Sequence, residues 1–131
     1  MLVPNAFDYA IVRVIPRVER EEFVNAGVIV HCYARDFLGA RIELDEPRLL
    51  ALAPDADLAL IRRHLAVIPR ICAGGLDAGP IGQLPQRERF QWLAAPRSTI
   101  LQTSATHSGI CEEPEAALER LLERVVRVPR G

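Results

Sequence analysis

Two segments near the start decide the fold: residues 8–16, DYAIVRVIP, and residues 23–33, FVNAGVIVHCY. The first is β-branched and apolar on both faces, the pattern of a strand in the middle of a sheet. Its exception is Arg13, which by alternation shares a face with Tyr9, Ile11 and Ile15. A long charged side chain there must reach water at the sheet margin or find a partner. The second segment sets Val24, Ala26, Val28, Val30 and Cys32 against Asn25, Gly27, Ile29 and His31. Asn25 and Gly27 are poor strand formers, so in a strand interior they predict a bulge or the close approach of another backbone or a ligand.

Reading outward, residues 17–22 are a charged connection and 34–36 a turn, so the next strand, FLGARIELD over 37–45, runs antiparallel to the second. It points Leu38, Ala40, Ile42 and Leu44 inward and Arg41, Glu43 and Asp45 outward. A short helix over 47–53 carries Pro47 in its first turn. The main helix spans 55–68, with Asp55 or Asp57 as cap and a stripe of Leu58, Ile61, Leu65, Ile68 and Cys72. Pro69 is expected to kink or end it, and His64, off the stripe, to be solvated. Residues 74–85, GGLDAGPIGQLP, fit neither a dinucleotide fingerprint nor a P-loop and read as a flexible connection or lid.

A short helix over 85–94, a fourth strand over 99–103 and a surface loop SATHSG over 104–109 follow. The last helix starts near Pro114, with Glu112, Glu113 and Glu115 at its head and Arg120, Arg124 and Arg127 at its tail, the order its dipole favours. Leu118, Leu121, Leu122 and Val125 form its apolar face. The expected class is α+β, in one domain over 1–131. A mostly antiparallel sheet of about four strands carries helices packed on one face, in two layers. The apolar second face of the first two strands makes a homodimer a further expectation.

Composition narrows the function. All sixteen basic residues are Arg, the net charge is −1 and the signs are interspersed, so there is no basic stripe and nucleic acid is not an expected partner. Cys32, Cys72 and Cys111 are odd in number and far apart, which fits a reducing compartment and no disulfide framework. His107 and Cys111 could share a metal only with partners that the sequence does not supply, so no metal or cofactor is expected. No apolar run approaches the roughly 20 residues that cross a bilayer. The start, MLVPNAFDYA, lacks the features of a secretory signal. A cytoplasmic protein without a membrane span is expected.

The functional surface is sought in 90–109, FQWLAAPRSTILQTSATHSG, which holds the only Trp, a Pro-Arg-Ser-Thr corner and hydroxyls around His107. Arg97, Ser98, His107 and Ser108 lie at the two ends of the fourth strand, with Arg13 and Asn25 from the central strands near them. Such a set suits a small anion or a phosphorylated partner, because a guanidinium forks onto carboxylate or phosphate while hydroxyls and amides add neutral bonds. On a purely structural reading, Arg97 ties the corner to a helix end and Ser98 caps a turn.

An enzyme would need His107 as base and Ser98, Ser104 or Cys111 as nucleophile. There is no GxSxG elbow, no acid motif beside His107 and no paired carboxylates, so no catalytic residue is assigned. The preferred reading is a non-catalytic binding or accessory protein acting through protein–protein contact. The alternative is a small enzyme or anion-binding protein that uses Arg97, Ser98 and His107 on a phosphate- or carboxylate-bearing ligand.

Two blocks, FDYAIVRVIPRVEREEFVNAGVIVHC over 7–32 and FQWLAAPRSTILQTSATHSGICEEPEAALERL over 90–121, resemble the bacterial family known as domain of unknown function 3037. The resemblance covers almost the whole chain. It brings no established activity, cofactor or catalytic residues. It implies a partner, because members of the family are often encoded beside kinase-like proteins of the toxin-kinase type.

Overall fold

The structure is a computed structural model, and it describes residues 4–97 and 99–129. Five strands, β1 (Asn5–Val14), β2 (Val24–Cys32), β3 (Phe37–Ile42), β4 (Leu101–Thr103) and β5 (His107–Cys111), form one open, wholly antiparallel sheet. β2 lies between β3 and β1, and β4 and β5 share the far edge of β1 end to end, β4 against residues 12–14 and β5 against 5–9. The two short strands are in effect one edge strand interrupted at Ser104. The backbone N–H of Ser104 donates to the Ile11 carbonyl, and its hydroxyl accepts from the Ile11 N–H at 2.9 Å, replacing the missing ladder bond. The expected surface loop SATHSG is therefore corrected: Ser104 is buried, and from His107 onward the segment is strand.

β2 carries the expected bulge. Val12 faces Gly27 but Arg13 faces Asn25, which leaves Ala26 as the extra residue. Strand side chains alternate with period two, so one extra residue reverses the facing of everything beyond it. Val24, Ala26 and then Ile29 share one core with Val12, Val14 and Leu38. Val28, Val30 and Cys32 turn to a second core with Phe7 and Cys111. The simple alternation read from the sequence fails at this point. Gly27 is required here, because a Cβ would lie 2.6 Å from both the Arg41 carbonyl oxygen and the Ile42 Cδ1.

Helices α1 (Glu46–Leu52), α2 (Leu58–Ala73), α3 (Gly79–Gly82) and α4 (Gln86–Ala94) lie between β3 and β4 in the chain. Leu49 of α1, Ile61, Leu65, Ile68, Ile71 and Cys72 of α2, and Phe90 and Leu93 of α4 fill the first core. The α+β class stands, but the layering differs from expectation. α5 (Pro114–Leu121) and the π-turn that continues it (Leu122–Val126) cover the opposite face with Ala117, Leu118, Leu121, Leu122 and Val126. The sheet is clad on both faces, because β2 is apolar on both and the chain itself supplies the second cover. The π-turn also buries Val126, while Val125, expected on the buried face, is only partly buried against the same core.

Local chemistry explains the helix ends. Asp45 and Asp57 cap α1 and α2 by accepting from the N–H groups of Arg48 and Leu60. Asp55, the other cap candidate, instead pairs with Arg17. α2 does not end at Pro69 but runs on to Ala73, held by the burial of Ile71 and Cys72 beyond the proline. The Gly/Pro segment is less free than its composition suggests. Gly75 N–H donates to Gly82 O, and Arg89 spans from Leu84 O to the Ile71 and Cys72 carbonyls at the end of α2.

Gly27→Ala places a methyl against the β3 backbone and is expected to cost about 1–3 kcal/mol. Urea unfolding checks this: the midpoint should fall with an unchanged slope. An unaltered midpoint would mean that β2 and β3 do not approach so closely at the bulge.

Candidate functional site

α2 packs over β3, toward the edge of the sheet opposite β4. Between α2 and the short β4 a groove of about 540 Å³ remains open, closed at one end by the C-terminal turn of α4 and Arg97. Its walls are Leu60, Val67, Ile68 and Ile71 of α2, Trp92 and Leu93 of α4, and Val12 and Leu101 of the sheet. Arg63, His64 and Arg97 stand around these apolar walls, and among the described residues no carboxylate lines the groove. In its wall the Thr103 hydroxyl is buried without a hydrogen-bond partner.

Arg97 donates to the Trp92 carbonyl at 2.6 Å and lies 4.2 Å over the centre of the Trp92 ring. The structural role expected for it, tying the corner to a helix end, is thus present. Partial burial lowers its pKa from the usual value, yet a guanidinium starts so far above neutrality that it stays charged. Arg63 makes no ion pair among the described residues, whereas its neighbour Arg62 is held by both carboxylate oxygens of Glu46.

The other candidates fall in different places. Arg13 and Asn25 are brought together as register partners at the bulge. Arg13 packs 4.3 Å over the Phe23 ring, and the Asn25 side-chain amide donates to the Val125 carbonyl at 2.9 Å, on the α5 face. His107 and Ser108 are adjacent in β5 and so point to opposite faces. His107 stacks on Tyr9, ring centres 5.3 Å apart, while the Ser108 hydroxyl donates to Asp8 at 2.8 Å. Ser98 lies outside the described residues. Arg97 is the only described member of the expected set that lines the groove.

Nucleophile chemistry finds little support here. The Ser104 hydroxyl is spent on backbone bonds. Burial pushes the Cys72 thiol up to about 12 and raises that of Cys111, so neither is a ready thiolate at neutral pH. Among the described residues, no group of three or more His, Cys, Asp or Glu could hold a metal, and no helix is long and apolar enough to cross a membrane.

Sequence reasoning found Trp92 and Arg97 but missed Arg63, Val67 and Thr103, and it set His64 aside as solvated. His64 is indeed exposed, but at the rim of the groove. A signal was present: Leu60, Val67 and Ile71 form a second stripe beside the core stripe. That makes α2 apolar over a wider arc than one core contact needs.

These features define an α+β protein with an open antiparallel sheet clad by helices on both faces and a cation-rimmed apolar groove at one sheet edge. The chain belongs to the family described as protein of unknown function (DUF3037), whose model matches residues 9–126. Comparison with the curated proteins and with the solved structures gave no match.

Arg97→Ala should shift the fluorescence of Trp92, the only tryptophan, to longer wavelength as water replaces the guanidinium on the ring. It should cost no more than about 1 kcal/mol in urea unfolding, the scale of an exposed cation–π contact. An unchanged spectrum would show that the stack is not held in solution.

Proposed function

We propose that this is a non-catalytic binding protein that acts in the bacterial cytoplasm by contact with another protein. The groove between α2, α4 and β4 takes an apolar segment of the partner that carries one or more carboxylates. The observation that carries this reading is the combination of apolar walls with Arg63, which makes no ion pair among the described residues, and the Trp-stacked Arg97, in a groove with no carboxylate among its described lining residues. An unpaired guanidinium beside an apolar wall adds specificity for acids and disfavours a basic competitor. Trp92, 39% exposed, is the type of residue that anchors an interface. β4 has no second neighbour in the sheet, so an extended segment could also bond to its open edge. The kinase-like protein implied by the family resemblance is the first partner to test.

The test compares tagged wild-type protein with Arg63→Glu/Arg97→Glu in capture from native lysate. Wild type should retain a stoichiometric partner, and the charge-reversed variant, with unchanged thermal unfolding, should lose more than about tenfold of it. Equal retention by both would remove the groove as the contact. If wild type retains nothing and instead turns over a phosphoester or acyl substrate, the binding reading falls and the small-ligand reading through Arg97 takes its place.

A further inference from the structure

A second cleft, of about 440 Å³, lies on the same helix-clad face but against the other side of α4. Asp8 of β1, His31 of β2 and Arg87, Phe90 and Gln91 of α4 line it. Neighbouring strands set Ser108, Asp8 and His31 in a row across the sheet, since Asp8 is the register partner of both of the others. Ser108 fixes the carboxylate by donating to Oδ1 at 2.8 Å. His31 is only 7% exposed, its ring is 5.2 Å from that of Phe90, and its Nε2 is buried without a hydrogen-bond partner.

Such an orphaned ring nitrogen costs on the order of 1–3 kcal/mol unless something meets it. Burial lowers the His31 pKa from its ordinary value, against the opposing influence of Asp8, and Arg87 lowers it further. Gln86 also lies close enough to act on the ring. Asp8 and Arg87 line the same cleft without forming an ion pair, and Arg87 has no carboxylate partner among the described residues.

An anion in this cleft would be drawn to Arg87 but repelled by Asp8, and a cation would meet the reverse. Only a molecule with both charges satisfies both walls. We propose that the cleft binds a small zwitterion of the α-amino-acid class, with its ammonium on Asp8, its carboxylate on Arg87 and its side chain against Phe90, beside the His31 ring. The His31 ring lines the same cleft against Phe90, so it reports on occupation of the site. The cleft volume falls within the range of roughly 300–1,000 Å³ usual for small-molecule sites. This site is independent of the α2–β4 groove.

The test is an NMR titration of the full chain with labelled histidine, following the His31 ring. Glycine, leucine and phenylalanine serve as zwitterions of increasing size, and phenylalaninamide and N-acetylphenylalanine as singly charged controls. At least one zwitterion should shift the His31 resonances saturably, and its singly charged controls should bind at least about tenfold more weakly, the loss of one charged contact. Asp8→Asn and Arg87→Gln should each weaken binding by a similar factor while the amide spectrum shows an intact fold. Arg87 sits on an exposed helix surface, so that variant stays informative if Asp8→Asn unfolds. No His31 shift with any zwitterion up to about 10 mM, a range that reaches millimolar affinities, would overturn the proposal. So would equal binding of a singly charged control, or binding that survives Arg87→Gln unchanged.

Discussion

One hydrogen bond ties the molecule together: the Asn25 side-chain amide on the carbonyl of Val125. It joins two irregularities a hundred residues apart, the bulge in β2 and the π-turn after α5. Val125 lies in the last turn of its helical segment, where carbonyls run out of intrahelical donors. Asn25 supplies the missing donor from the sheet. The bulge in turn decides which residues of β2 face which helices, and so lets one strand serve two cores. Arg13 sits beside this junction with its Nε buried and unpartnered, stacked on Phe23.

The consequences reach the surface. Because α5 covers one face, α1–α4 are left to cover the other, and α2 packs against β3 rather than over the middle of the sheet. The far edge, where β4 contributes only three residues, is left with an open groove instead of a helix. α4 separates this groove from the Asp8–His31 cleft, with Trp92 and Leu93 facing one and Arg87 and Phe90 the other. A short helix thus serves two recognition surfaces of different chemistry.

The sequence revealed the parts with local signals. β1 to β3, the bulge, the Asp57 cap and the Glu-to-Arg polarity of the last helix all follow from alternation, propensity or dipole. What it hid was non-local. No feature of SATHSG announces a strand, because the part of β5 within it is His, Ser and Gly and is strand through its pairing with β1. The second helical layer was hidden because a strand apolar on both faces does not say whether a helix or a second copy covers it. Pro69 does not end α2, because the burial of Ile71 and Cys72 carries the helix past it. Of the site residues, Arg97 and Trp92 were visible as a corner. The row Ser108, Asp8 and His31 was not, because it depends on cross-strand register. The expected meeting of Arg97 with Asn25 and His107 does not occur, since the Asn25 and His107 contacts lie on the α5 face.

Hydrogen exchange on the free protein and on its complex with a captured partner tests the central claim most directly. The account predicts new amide protection over residues 60–71 of α2 and over 92–103, including the outward amides of β4, with α5 unchanged. Protection centred on α5 and β3, with the α2–β4 groove still exchanging freely, would contradict it.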